Sequence, residues 1–162
     1  MKPLPESAPE LRRVTGVIPA GQWPDDAAVA TVTLAFNERH RRRMLMTDDA
    51  GATFLLDLPR PTVLTEGDGL LLVGGDIIRV RAALEAVADV SAPGLAERLR
   101  LAWHMGNRHT PIQVLPDGSF RILDDHVLVD LLTRLGANVV MRLAAFAPEP
   151  GAYTSHSHDD AP

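Results

Sequence analysis

The chain of 162 residues contains no cysteine. That absence removes disulfides, thiolate metal ligands and Cys nucleophiles together, and it fits a reducing compartment. Aromatic residues are scarce too, at four Phe, two Trp and one Tyr, so the core must be built from Leu, Val, Ile and Ala. No apolar run approaches the roughly 20 residues needed to cross a bilayer. The first ten residues hold three Pro and no apolar region of a secretory signal. An excess of positive charge is also lacking. The formal net charge is -5 at pH 7, which gives no support for general nucleic-acid binding. There is no HExxH pair and no nucleophile elbow, so the usual marks of a metal hydrolase or esterase are missing. The expectation is a cytoplasmic protein with no membrane and no nucleic-acid partner.

What remains is a chain of ordinary globular composition, 46% hydrophobic and 23% charged. Its length suits one domain or two small ones. Residues 1–10 read as a disordered lead-in. Residues 11–81 hold short strand-like pieces, Arg13–Ile18, Val29–Phe36, Arg43–Met46, Thr53–Leu56, Leu70–Val73 and Ile77–Val80. Turn signals such as Pro19-Ala20-Gly21, Asp48-Asp49-Ala50-Gly51 and Pro59-Arg60-Pro61 part them. This pattern predicts a small N-terminal antiparallel β domain, barrel-like or sandwich-like.

Residues 82–150 change character. A strand over Leu84–Val90 precedes a helix from about Gly94 to Met105, with Ser91 as a plausible cap and Pro93 near the first turn. Leu95, Leu99, Ala102 and Trp103 form one stripe on it, and Gly106-Asn107 supplies residues tolerant of left-handed geometry at its end. A hairpin over Ile112–Leu115 and Phe120–Leu123 turns at Pro116-Asp117-Gly118. Asp124 or Asp125 caps a second helix through Leu135, Gly136 stops it, and Val139–Phe146 is the last strand. The order β-α-β-β-α-β is the ferredoxin-like pattern, so the fold class expected is α+β, a β domain followed by a ferredoxin-like domain. From Ala147 to Pro162 the chain is too polar to offset its ordering entropy and reads as flexible, with 151–162 as a His-containing tail.

Five of the six histidines lie in the second half. Imidazole is a natural ligand for Ni, Zn and Cu ions. His109 follows the helix end among polar neighbours, which suits an exposed ligand. One imidazole is not a site, but a two-fold axis would bring two copies to one ion. His104 is either a favourable charge at a helix C-terminus or a secondary ligand. His126 opens the second helix, where the dipole favours the neutral, ligating form, and Asp124 beside it could join a weaker N/O site. His156 and His158 in the tail can wrap a cation without a preformed cavity. The run Arg39-His40-Arg41-Arg42-Arg43 reads as a solvated strand or turn, or as a docking face for an acidic partner.

The run Trp103-His104-Met105-Gly106-Asn107-Arg108-His109-Thr110-Pro111-Ile112-Gln113 closely resembles the signature of the urease accessory protein UreE family. So does Asp125-His126-Val127-Leu128-Val129-Asp130-Leu131-Leu132 with Leu135-Gly136, and so does Phe146-Ala147-Pro148-Glu149-Pro150-Gly151-Ala152-Tyr153 before a His-bearing tail. In the first half Glu38 to Arg43, Leu58-Pro59-Arg60, Glu66-Gly67-Asp68 and Val80-Arg81-Ala82-Ala83 match as well, so the likeness covers about residues 12–158. The resemblance implies a homodimeric nickel metallochaperone, not an enzyme. It implies a β domain that contacts partners, and a ferredoxin-like domain that binds metal and pairs head to head. It puts His109 at the dimer interface as the principal ligand, with His104 and His126 secondary. Some members carry His where this chain has Asp124, and many end in polyhistidine where it has only His156 and His158. The implied cargo is Ni(II), with Zn(II) or Cu(II) able to bind in vitro. The implied partners are a urease accessory GTPase and the urease apoprotein complex. The rival readings are a protein-interaction scaffold with incidental metal, a metal hydrolase and a ferredoxin-like RNA-binding module.

Overall fold

Short apolar runs cut by Gly- and Pro-bearing turns cannot form long helices, and the first half folds into strands accordingly. The structure is a computed structural model and describes residues 11–151. The fold is mixed α+β, mostly sheet with two helices, and the chain parts into two compact units between Ala82 and Ala83. No helix among the described residues is long and apolar enough to cross a membrane. The lead-in 1–10 and nearly all of the tail, including His156 and His158, lie outside the described residues.

The first unit contains β1 (Arg12–Ile18), β2 (Ala28–Leu34), β3 (His40–Thr47), β4 (Thr53–Val63), β5 (Gly69–Leu72) and β6 (Ile77–Ala82). They form one sheet in the order β2-β6-β5-β1-β4-β3. Three pairings are antiparallel, but β1 with β4 and β2 with β6 run parallel, so the sheet is mixed. Alternation sets the faces: Phe54, Leu56 and Leu58 of β4 are buried with Val14, Leu70 and Ile78, while Leu55 and Asp57 are only partly covered. Close packing marks one end. The Trp23 indole Nε1 donates to the Gly67 carbonyl at 3.1 Å, and a Cβ on Gly69 would lie 2.9 Å from the Trp23 ring.

Two strands are longer than their apolar runs predict. β3 takes in His40, Arg41 and Arg42, because a terminal strand leaves one edge solvated and tolerates charge. β4 runs on through Pro59-Arg60-Pro61, which reads as a turn in sequence. The β3–β4 register shifts there, and such an irregularity is where a strand accepts proline.

The second unit contains β7 (Leu84–Ser91), α1 (Leu95–Gly106), β8 (Gln113–Val114), β9 (Phe120–Leu123), α2 (His126–Arg134) and β10 (Asn138–Ala145). Its sheet has the order β10-β7-β9-β8, with every pairing antiparallel. Ala88, Val90, Phe120 and Ile122 from the sheet, Leu101 and Met105 from α1 and Leu132 from α2 make the core. Ser91 ends β7 and caps nothing; the residue before α1 is Gly94, with no side-chain cap. Asp125, not Asp124, caps α2, accepting from the Val127 and Leu128 N–H groups at 2.9 and 3.1 Å.

Of the apolar stripe on α1 only Ala102 packs against this core. Leu95, Leu99 and Trp103 are 67%, 61% and 62% exposed. The helix instead packs inward through Leu101 and Met105, so it is apolar on two sides.

Candidate metal centre

α1 ends in a way that fixes the conformation of His109. Met105 is fully buried, which anchors the last turn. The Thr110 N–H then donates to the Met105 carbonyl at 3.1 Å and the His109 N–H to the Gly106 carbonyl at 2.9 Å. That pair of bonds is a Schellman motif, whose penultimate residue must be left-handed. Gly106 and Asn107 do not take that conformation: Gly106 is the last residue of the helix and Asn107 is right-handed. His109 takes it, at φ 53°, and it is the one non-glycine residue at positive φ among those described. The same motif closes α2, where Ala137 and Gly136 donate to Leu132 and Thr133; there the left-handed residue is Gly136, at φ 88°. An unstrained solution is therefore used once, and a β-carbon-bearing imidazole is held in the strained position at the other helix end.

His109 is exposed at the rim of a cavity of about 380 Å³ lined by Thr110, Pro111, Leu123, Asp124, Asp125, Leu128 and Phe146. The structure thus brings His109 and Asp124 to one cavity. Asp125 is engaged at the α2 cap, which leaves Asp124 as the acid without a capping bond there. His104 and His126 do not line this cavity. The His104 ring meets that of Trp103 edge-on at 5.0 Å, on the helix that carries the exposed apolar stripe. His126 is the exposed first residue of α2.

The polar composition from Ala147 on predicts a flexible segment, yet residues 147–149 are fixed by hydrogen bonds and build this site. The Ala147 N–H donates to the Gln113 side chain at 3.0 Å, and the Glu149 N–H donates to the Ile112 carbonyl at 2.8 Å. The Glu149 carboxylate accepts from the Val114 N–H at 3.2 Å. These bonds turn the chain back beside the His109 loop and seat the fully buried Phe146 in the cavity wall. The signal in the sequence was a lone Phe ahead of Pro-Glu-Pro, which could not show where the strand would fold back. Among the described residues no group of three or more His, Asp or Glu converges on one point. His109 and Asp124 are the imidazole and the uncapped carboxylate that share this cavity.

Two units, the first a mixed sheet and the second a β-α-β-β-α-β unit with an exposed histidine after its first helix, make this a two-domain α+β protein. Residues 13–83 match the UreE urease accessory protein N-terminal domain, and residues 85–162 match the UreE urease accessory protein C-terminal domain. The chain is 48% identical over 134 residues to the urease accessory protein UreE of Chelativorans sp. (strain BNC1), covering 83% of this chain and 84% of that one. It is 43% identical over 155 residues to that of Rhodobacter capsulatus, covering 94% and 95%. To that of Bradyrhizobium sp. (strain ORS 278) it is 45% identical over 146 residues, covering 90% and 69%. The chain belongs to the UreE family of urease accessory proteins.

Proposed function

We propose that this chain is a cytoplasmic nickel metallochaperone that works as a homodimer and delivers Ni(II) to the urease apoprotein while the urease active site is assembled. In this reading it is no enzyme. Its second unit is a ferredoxin-like domain that binds metal and dimerises, and its first unit, residues 11–81, contacts partners, among them a GTP-hydrolysing urease accessory protein. The order β10-β7-β9-β8 supports the ferredoxin-like assignment.

The observation that carries the proposal is His109: an exposed imidazole held at φ 53° on a cavity rim that also bears Asp124. Strained conformations persist where the surroundings over-determine them, and they cluster at functional sites. One copy offers too few donors for a shell, and the exposed stripe of Leu95, Leu99 and Trp103 runs along the helix that ends just before His109. Burying that stripe against its two-fold copy would bring a second His109 toward the same ion. The tail can add donors. His156 lies seven residues beyond Glu149, and an extended chain of that length reaches roughly 25 Å. His104, His126 and Asp124 are secondary donors in this scheme, and Zn(II) or Cu(II) compete by the usual affinity order.

Calorimetric titration of the whole protein with Ni(II), with sedimentation velocity on the same samples, tests it. His109→Ala is expected to lower nickel affinity by at least about tenfold with the dimer intact. Leu99→Glu is expected to yield folded monomers with the same loss. Dimers that bind nickel equally well without His109 would overturn the metal assignment and favour the scaffold reading.

A further inference from the structure

The first unit has two terminal strands, β2 and β3, and the molecule treats their outer edges differently. On β2 the Thr33 N–H donates to the Asp49 carboxylate at 2.9 Å, the Ala35 N–H just beyond the strand donates to Glu38 at 2.9 Å, and the Thr31 carbonyl accepts from the Asp49 N–H at 2.8 Å. That edge is closed by the Asp49 and Glu38 carboxylates and by the Asp49 backbone. On β3, among the described residues, no side chain bonds the backbone of Arg42–Met46, and no strand pairs with its outer edge. Terminal strands left open are templates for strand addition.

The open edge is also where positive charge gathers. Arg43 lies opposite Asp57 and Arg41 opposite Thr62. Arg42 falls between them, and Arg60 sits in the β4 stretch that opposes it. Asp57 is the one acid in either strand, and it is shared by Arg13 and by Arg43, the latter at 3.8 Å. Arg41, Arg42 and Arg60 make no ion pair with a described residue. Three unneutralised guanidiniums, Arg41 and Arg42 on the edge strand and Arg60 on its neighbour β4, in a chain of net charge -5, repel a second copy of the same edge and attract an acidic strand. Further along β3 a groove of about 210 Å³ is lined by Met44, Leu45, Met46 and Thr47 of β3, by Glu38, and by Thr33 and Leu34 of the other terminal strand, β2, with Met44 and Leu45 exposed.

We propose that the β3 edge is a docking site for an extended acidic segment of a partner protein. The segment's carboxylates sit on Arg41, Arg42 and Arg60, and an apolar residue next to them fills the groove at Met44 and Leu45. Guanidinium forks match carboxylates bidentately, and the strand edge supplies main-chain bonds. Glu38 on the groove wall sets the polarity, with acidic residues at the Arg end and apolar ones at the Met44 end. A nucleic-acid strand fits less well, since the patch has no exposed aromatic for base stacking. The inference does not depend on the metal reading, which concerns the other unit.

Fluorescence anisotropy of the full-length protein with a short fluorescein-labelled peptide, half Asp/Glu and half Val/Leu, tests it. Saturable binding that weakens with salt is expected. The combined variant Arg41→Gln, Arg42→Gln, Arg60→Gln should weaken it roughly tenfold or more, and Leu45→Ser should weaken it less. Unchanged far-ultraviolet circular dichroism shows that the variants fold. The control Arg100→Gln, Arg134→Gln, in the other unit, should bind as the parent does. An all-Glu peptide of equal length that binds as tightly would remove the groove from the proposal. Binding that survives the arginine variant, or an RNA oligonucleotide that binds more tightly than the peptide through the same arginines, would overturn it.

Discussion

At the level of single residues, the conformation of His109 separates fold from function. A left-handed conformation costs an L-residue roughly 1–2 kcal/mol, and glycine escapes that cost. Glycine at 109 should therefore keep the Schellman bonds that Thr110 and His109 make to Met105 and Gly106, and it should be more stable than alanine at 109 by about 1 kcal/mol. Both variants lack the imidazole. We expect His109→Gly and His109→Ala to lose nickel binding alike, while the apo Gly variant melts a few degrees above the Ala variant, as read by differential scanning calorimetry. Equal melting temperatures would mean that position 109 carries no backbone strain. That His109 is an exposed post-helix residue was legible in the sequence, from Asn107, Arg108 and Thr110 around it. Its left-handed backbone was not. Gly106 and Asn107 were the natural candidates, but Gly106 closes the helix, Asn107 stays right-handed as its cap, and the turn falls two residues later at His109.

For whole elements, periodicity located α1 and α2 but did not say which way α1 faces. Leu95, Leu99 and Trp103 recur every fourth residue, and so do Leu101 and Met105. A spacing argument cannot rank two such sets, and the sheet chose the second. In the same way, alternation found β3 and β4 but cut them short at charge and proline, since what admits Arg42 or Pro59 is position in the sheet, a tertiary fact. The start of β5 shows the opposite case, where one residue type is dictated by a neighbour. Gly69 lies under Trp23 and against Ile77, and an added Cβ would come within 2.8 Å of the Ile77 side chain. The obstacle is a ring held by its bond to the Gly67 carbonyl, not a flexible chain end. Overpacking of that kind costs roughly 1–3 kcal/mol. Gly69→Ala should lower the unfolding free energy of the first unit by that amount, read from urea titration, and shift the Trp23 emission to the red. Parent-like stability and emission would show that the ring moves freely.

Across the whole molecule, each unit carries its own core and its own response to acid. In the first unit the Asp48 side chain is 1% exposed. The hydrogen bond from Arg12 at 2.7 Å, helped by the Ala50 and Ala52 N–H groups, holds its carboxyl below the ordinary value of 3.8 despite burial. Asp49 is exposed; partial desolvation pushes it up, but bonds from Thr31 and Thr33 outweigh this and leave it lowered as well, an effect that solvent screens. A carboxylate depressed in the folded state binds fewer protons than it does unfolded. Its stabilisation is complete well above pH 3.8, shrinks as the unfolded chain takes up protons, and is lost once pH falls through the folded value. In the second unit the lowered carboxylate is Asp117, held down by the Ser119 hydroxyl and N–H at an exposed hairpin turn, where solvent screens the effect. The first unit should therefore be the more acid-sensitive. Its tryptophan is Trp23 and that of the second unit is Trp103, so Trp103→Phe leaves a reporter on the first unit and Trp23→Phe leaves one on the second. Urea unfolding followed by fluorescence between about pH 6 and pH 3 should show the Trp23 midpoint falling faster than the Trp103 midpoint. Adding Asp48→Asn to the Trp103→Phe protein should flatten that fall, because the group that takes up the proton is gone. Midpoints that fall in parallel, with or without Asp48, would mean that the acid response belongs to carboxylates other than these.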